Sequence, residues 1–239
     1  MKKFTTQNNS VVYQALDGRC NVFVIAAGKN CILVDASVKR YKKRLFFIID
    51  EFIEKGYSFK ALILTHSHFD HAINAYAIKE KYKMKIYIHE EEQACLSQGK
   101  NPAVIGAIRG LKTLTALLKK PIEYLFQYEP VMPDIVIGED KINLNSVGIN
   151  AYLLYTPGHT IGSMSVIVDD EIAIVGDTMV GFISGYIFPH FATDTGLLIT
   201  SWEKLINTNC SMFAPAHGRI IKRDTVIEQF NKYRSLKYR

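Results

Sequence analysis

The run Ala61-Leu62-Ile63-Leu64-Thr65-His66-Ser67-His68-Phe69-Asp70-His71 constrains this chain more than any other stretch. A short apolar segment of buried-strand type ends, and three imidazoles and a carboxylate follow at once. A loop this short can turn several of its side chains toward one point. A divalent metal takes three to four such nitrogen or oxygen donors, at about 2.0–2.2 Å. His66, His68, Asp70 and His71 are more donors than one open catalytic zinc usually draws from a single segment. Two adjacent metals account for the excess.

Further donors must come from elsewhere in the chain. His159 in TPGHT, Asp177 in IVGDT and His217 in APAHG each stand at the end of an apolar strand-like run. Gly158, Gly176 and Gly218 adjoin them, as expected where the backbone turns tightly or approaches closely. Any one of the three alone reads as an ordinary surface or capping residue; together, with matching placement, they read as ligands.

The flanking pattern predicts an α/β (α+β) chain. VVYQAL, CNVFVIAA and CILVDAS read as strands, followed by a helix over 38–55 that Gly56 stops. After the histidine-rich loop come a helix over 71–82, a strand over 85–90 and another helix from Glu90. Residues 98–133 read least clearly: a helix over 103–120, with Ile105, Ile108, Leu111, Leu114, Leu117 and Leu118 on one face, lies between breaks at Gly99, Asn101, Pro102, Pro121, Pro130 and Pro133. Its apolar face serves core packing, a roof over the site, or contact with a second copy of the chain. Strands over 141–147, 151–156, 164–170, 171–178 and 212–217 follow, with helices over 196–207 and 224–237. No linker interrupts this order, so one domain over residues 1–239 is expected, with helices on the outer faces of two packed sheets.

HxHxDH followed by separated His, Asp and His at strand ends resembles the metallo-β-lactamase superfamily, over about residues 20–218. The resemblance implies a four-layer αββα sandwich of two mixed β-sheets flanked by helices, with metals at one edge between the sheets. It also implies roles: His66, His68 and His159 on a first metal, Asp70, His71 and His217 on a second, and Asp177 bridging both. Asp35 in LVDAS would orient a ligand histidine through its other ring nitrogen. The implied cofactors are two Zn2+, with iron or manganese as alternatives. A hydroxide shared by the metals would then attack an ester, thioester or lactone carbonyl, with Asp70 as the catalytic residue that orients it and carries a proton to the leaving group.

Departures from particular branches narrow the reading. β-Lactamases of the superfamily generally lack an aspartate at the bridging position, which Asp177 fills here. The run GDTMVGFISGYIFPHF, with PAHG beyond it, is similar to the glyoxalase II branch, but the stretch after His217 is too short for that branch's glutathione-binding helical domain. Iron-dependent persulfide dioxygenases, using one iron on residues matching His66, His159 and Asp177, and phosphodiesterases are the alternatives. Phe182, Tyr186 and His190 follow the bridging aspartate and are expected in the substrate pocket, with Tyr186 or His190 donating to an oxyanion. Phe188 and Phe191 are expected to extend the same apolar wall, and His89 is read as structural.

Charge and composition exclude rather than select. Net charge is +6, much of it in Lys39–Arg44 and in the tail from Lys232, and no nucleic-acid motif accompanies it. A small-molecule substrate is expected, with no nucleic-acid partner. No apolar stretch reaches the ~18 residues of a membrane span. The polar start MKKFTTQNNS lacks a signal-peptide core, and the four cysteines show no disulfide spacing, so a cytoplasmic chain with reduced thiols is expected.

Overall fold

Alternation along the strands sorts the apolar residues into layers. The structure, a computed structural model, describes residues 1–107, 109–118 and 125–235. In β3 (Val22–Ala27), Val22, Val24 and Ala26 enter one apolar layer while Phe23 and Ile25 enter another. β4 (Asn30–Val34) repeats this, with Cys31 and Leu33 on one side and Ile32 and Val34 on the other. So does β5 (Ser58–Ile63), through Leu62 against Ala61 and Ile63. A sheet buried on both faces needs this two-sided pattern.

The first sheet runs β1 (Lys2–Thr5), β2 (Val11–Leu16), β3, β4, β5, β6 (Lys85–His89), β7 (Ile135–Ile137). Its first four strands pair antiparallel and its last four parallel. The second contains β8 (Lys141–Asn143), β9 (Ala151–Tyr155), β10 (Met164–Val168), β11 (Ile172–Gly176), β12 (Met212–Pro215) and β13 (Ile221–Lys222). Its order is β13-β12-β11-β10-β9-β8, and only β11 and β12 pair in parallel.

The inner faces share a core in which Phe23, Ile25 and Ile63 meet Leu153, Val166 and Ile174. Helices close both outer faces. α1 (Lys42–Glu54) buries Leu45, Ile48, Ile49 and Phe52 against the first sheet. α2 (Phe69–Ala72), α3 (Ala75–Tyr82) and α4 (Glu90–Gln98) follow, and α5 (Arg109–Leu117) lies further along. α6 (Thr195–Ile206) buries Leu198, Ile199, Trp202 and Leu205 against the second sheet, joined by Val226 of α7 (Arg223–Tyr233). This is the αββα sandwich expected. Among the described residues no helix is long and apolar enough to cross a membrane, and none of the four cysteines forms a disulfide.

Several elements differ from the sequence reading. β1 was not expected: its residues are polar and largely exposed, and its lysines suit a sheet edge. The helix over 71–82 is two helices, because the Asn74 amide reaches back to the carbonyls of Ala36, Ser37 and Val38. The helix over 103–120 starts only at Arg109. Residues 105–107 instead run alongside 190–192, with Ala107 N–H on the His190 carbonyl (2.8 Å) and Ala192 N–H on that of Ile105 (2.9 Å). Ile108, Lys119, Lys120 and Pro121 lie outside the described residues. β8 stops at Asn143, and a 3-10 turn, Asn145–Val147, follows. β12 stops at Pro215, so His217 stands two residues beyond the strand. α7 ends at Tyr233, and residues 236 and 237 of the closing helix expected over 224–237 are outside the described set.

Candidate metal centre

β5 ends at Ile63, the chain bends at Thr65, and His68 is extended before the chain winds into α2. His66 and His68 therefore project from the loop, while Asp70 and His71 project from the helical turn. His159 arrives on the loop after β9, Asp177 directly after β11 and His217 after β12. His66 Nε2 and His159 Nε2 each lie 3.0 Å from His68 Nδ1. That is close to the roughly 3.3 Å separating two donors on a tetrahedral ion with 2.0–2.1 Å bonds. Asp70, His71 and His217 form a second convergent group, and His66, His71 and Asp177 a third that links them. Asp177 reaches both sides: its Oδ2 is 3.5 Å from His159 Nε2 and 3.3 Å from His217 Nε2, and its Oδ1 is 3.6 Å from His71 Nε2.

Hydrogen bonds on the far ring nitrogens fix the aim of these imidazoles. His71 Nδ1 donates to Asp35 Oδ2 (2.9 Å), His159 Nδ1 to the Phe191 carbonyl (2.9 Å) and His66 Nδ1 to Thr65 Oγ1 (3.2 Å). Each Nε2 is then the ring nitrogen left to face the centre. Asp35 lies beside His71 as the sequence reading expects. It sits at φ 64, a left-handed conformation uncommon outside glycine, asparagine and aspartate, and also accepts from Thr65 N (2.8 Å) and Thr65 Oγ1. Gly176 has φ +52, and a Cβ there would fall 2.8 Å from Thr65 Oγ1, so only glycine lets β11 pass this close.

Electrostatics bear on whether a cation fits. Burial and neighbouring imidazoles hold His66 well below the usual histidine range and His68 at about 3; burial also lowers His159. These three are neutral at pH 7, as ligation requires. Burial opposes charge on His71 too, but Cys20 and the carboxylates of Asp35, Asp177 and Asp70 outweigh it and raise its pKa well above normal. Burial likewise disfavours charge on His217, but Asp177 and Asp70 outweigh it and raise that pKa to about 10. Asp70 and Asp177 are thus balanced by protons on imidazoles that a divalent cation could replace. Asp177 Oδ1 is buried without a hydrogen-bond partner, an arrangement costly unless a cation answers it. The donor set fits a divalent metal.

Sequence reasoning missed the residues that join the ligand loops. Glu92 of α4 is 1% exposed and accepts from Ser67 N (3.0 Å), Ser67 Oγ and Gly162 N (3.3 Å). It ties the His66–His68 loop to the loop of His159. Tyr128 Oη donates to the Ser67 carbonyl (2.7 Å) from the other side. Cys20 Sγ lies 3.8 Å from His71 Nδ1, its thiol pushed by burial to about 12. Glu92 stands in the run Glu90-Glu91-Glu92, which reads only as an acidic helix start. His89 is structural: it stacks on Tyr155 at 4.2 Å, and its Nδ1 accepts from Glu91 N at the start of α4.

A cavity of about 770 Å3 opens above the donors, with His68, Asp70, His159, Asp177 and His217 among its lining. Phe182 and His190 line it as expected, and Phe182 stacks on His217 with centroids 5.8 Å apart. Phe191 lines it as well, but Tyr186 and Phe188 do not. Tyr186 packs on the outer core of the second sheet, and Phe188 is buried there against Trp202 and Tyr233. The loop can face both ways, and its next-but-one aromatics went to the core. α5 roofs the cavity through Leu111, Leu114 and Thr115, one of the three uses its apolar face allowed.

Two mixed sheets enclosed by helices carry His and Asp clusters able to hold a divalent ion at their edge, which makes this an αββα protein with a candidate metal centre. Residues 15–217 match the family model described as the metallo-beta-lactamase superfamily, and the chain belongs to that superfamily. It is 28% identical over 163 residues to the probable metallo-hydrolase YqgX of Bacillus subtilis, covering 67% of this chain and 66% of that protein. A probable metallo-hydrolase of Methanocaldococcus jannaschii is 28% identical over 209 residues, covering 84% and 88%. This chain thus spans about two thirds of the length of the first of these relatives. Among solved structures, an archaeal superfamily protein from Sulfolobus tokodaii superposes with TM-score 0.62 at 22% identity, covering 89% of this chain and 79% of that one. The B3 metallo-beta-lactamase BLEG-1 superposes with TM-score 0.65 at 18% identity, covering 95% and 96%. At these identities the structures attest the fold.

Proposed function

We propose that the chain is a dinuclear zinc hydrolase that cleaves an ester, thioester or lactone carbonyl. The observation that carries this reading is Asp177, whose two oxygens approach His159 on one side and His71 and His217 on the other. A single iron on His66, His159 and Asp177 would leave the equally convergent Asp70, His71 and His217 without a task, which counts against the dioxygenase alternative. Zinc bound by the two groups would supply water of lowered pKa and polarise the carbonyl oxygen. The chain's own residues do the rest. Asp70, at the cavity floor and 3.3 Å from His217 Nε2, orients the water and takes its proton toward the leaving group. Phe182 and Phe191 exclude bulk water, and His190 stands in the wall as a donor to the developing oxyanion.

Metal analysis of protein purified without added metal tests the centre, and a panel of p-nitrophenyl esters, thioesters, lactones and bis-p-nitrophenyl phosphate tests the reaction. About two zinc per chain and turnover of a carbonyl substrate are expected. A single iron with oxygen uptake on persulfides, or turnover of the phosphodiester alone, overturns the proposal.

A further inference from the structure

The cavity above the donors is not uniform. One wall is apolar and belongs to the 101–126 stretch and the histidine loop: Val104, Leu111, Leu114, Leu118, Phe126 and Phe69. Phe69 and Phe126 stack at 4.4 Å, which makes this wall continuous with the turn that carries Asp70. Leu114 and Leu118 remain 50% and 42% exposed, so about half of each side chain is left uncovered. A different wall comes from the β2–β3 hairpin and the 3-10 turn Lys39–Tyr41, and it carries Arg19 and Arg40. Arg40 lies on the Tyr41 ring and donates to its hydroxyl. Among the described residues neither guanidinium has a carboxylate partner. Among the described residues, the carboxylates lining the cavity are Asp70 and Asp177, both within the donor cluster.

An apolar wall, a hydrolytic floor and two unneutralised guanidiniums in one cavity match one kind of molecule. Resting on the hydrolase reading, we infer that the substrate is an anionic amphiphile: an ester or thioester whose aliphatic chain lies along Leu111, Leu114 and Leu118 while a negatively charged group faces Arg19 and Arg40. Buried methylenes supply affinity in proportion to chain length. The guanidiniums supply selection for charge, which a neutral ester of equal length does not meet. Hydrolysis breaks the bond between the carbonyl carbon and the oxygen or sulfur of the leaving part. It forms a carbon–oxygen bond to water and delivers one proton to the departing heteroatom, giving a carboxylic acid and an alcohol or thiol. A volume of about 770 Å3 lies within the usual range for small-molecule sites.

The test separates binding from turnover. Linear alkanesulfonates of four to ten carbons, and alkanols of the same lengths, are titrated into the zinc-loaded protein by calorimetry. Affinity for the sulfonates should rise about fourfold per methylene and exceed that of the matching alkanol at least tenfold. Leu114→Ser with Leu118→Ser should flatten the rise, and Arg19→Ala with Arg40→Ala should erase the preference for charge. All four positions are exposed or partly exposed, so the variants are expected to fold. Affinity independent of length, or a charge preference that survives loss of both arginines, overturns the inference. Hydrolysis of p-nitrophenyl acyl esters is followed in parallel. Turnover indifferent to acyl length also overturns the inference and leaves the hydrolase reading standing. Length-dependent binding of sulfonates without turnover of any ester, thioester or lactone supports the amphiphile site and removes the hydrolase reading instead.

Discussion

Glu92→Gln is the substitution that best separates the donors from the frame that holds them. The carboxylate is buried and accepts from the backbone of both ligand loops, Ser67 N on one oxygen and Gly162 N on the other. Glutamine keeps the volume, so no cavity forms, but one of its two acceptor oxygens is replaced by an amide NH2 that meets an N–H donor. One charge-assisted bond is lost and one buried N–H is left unsatisfied, a cost of about 2–4 kcal/mol. Gly162 packs directly on this side chain, since a Cβ built there would lie 2.4 Å from Glu92 Cγ. The loop of His66 and His68 then loses its tie to the loop of His159, and zinc affinity should fall by roughly 10–100-fold. Urea unfolding of the metal-free protein reads the first quantity, and competition against a chromophoric chelator reads the second. Stability within about 0.5 kcal/mol of the parent, a shift typical of surface substitutions, together with unchanged zinc affinity, would refute the argument that this carboxylate sets the distance between the loops.

Asp35→Asn removes the charge and leaves one acceptor oxygen for two N–H donors, His71 Nδ1 and Thr65 N, so zinc affinity should drop by roughly 10–100-fold with the far-ultraviolet spectrum unchanged; equal affinity would show that His71 needs no such support. Gly176→Ala places a methyl group against Thr65 at positive φ and should cost at least about 2 kcal/mol in urea unfolding. Chelation should lower the melting temperature, since a ligand at a hundred times its dissociation constant stabilises by about 2.7 kcal/mol, and zinc should restore it. Asp169 links the sheets by accepting from Thr6 Oγ1 (2.5 Å) and Asn150 Nδ2 (2.7 Å). Burial alone raises its pKa, but hydrogen bonds from Thr6, Ser10, Asn150 and Asn8 outweigh this and hold it below the usual 3.8. Its contribution is therefore complete above that value and is lost as pH falls through the lower folded value. Asp169→Asn should destabilise at pH 7, and the loss should shrink as pH falls below the usual carboxylate range; a loss independent of pH would exclude the carboxylate's charge as the cause.

Much of the centre could be read from the sequence because ligand chemistry is a property of residue type. Histidine and aspartate crowded after ALILT have few other uses, and His159, Asp177 and His217 each follow an apolar run long enough to recognise as a strand. The sheets were legible for a similar reason: Val22 to Ala27 and Ala61 to Leu64 are apolar on both faces, which suits a doubly covered sheet. β1 escaped because an edge strand with lysines has no apolar alternation to detect. Glu92 escaped because its function arises only when α4 packs behind two loops distant in sequence. Nothing within EEEQACL distinguishes it from Glu90 or Glu91, both exposed.

Specificity escaped for a deeper reason. Leu111, Leu114 and Leu118 follow the same helical spacing as Leu45, Ile48, Ile49 and Phe52 of α1, and the sequence marks both as apolar faces. Packing alone tells them apart. The α1 face meets the outer core of the first sheet and is buried, while the leucines at 114 and 118 are left beside the donor cluster with no sheet to cover them. The 103–120 helix was shortened by the pairing of residues 105–107 with 190–192, and that pairing brings His190 and Phe191 to the cavity that α5 roofs. The same contact that defeats the helical periodicity therefore helps build the substrate wall. A catalytic centre is specified by what its residues can bind, whereas a substrate pocket is specified by what the fold declines to cover. Chain-length dependence is for that reason the measurement that most directly reads the second from the first.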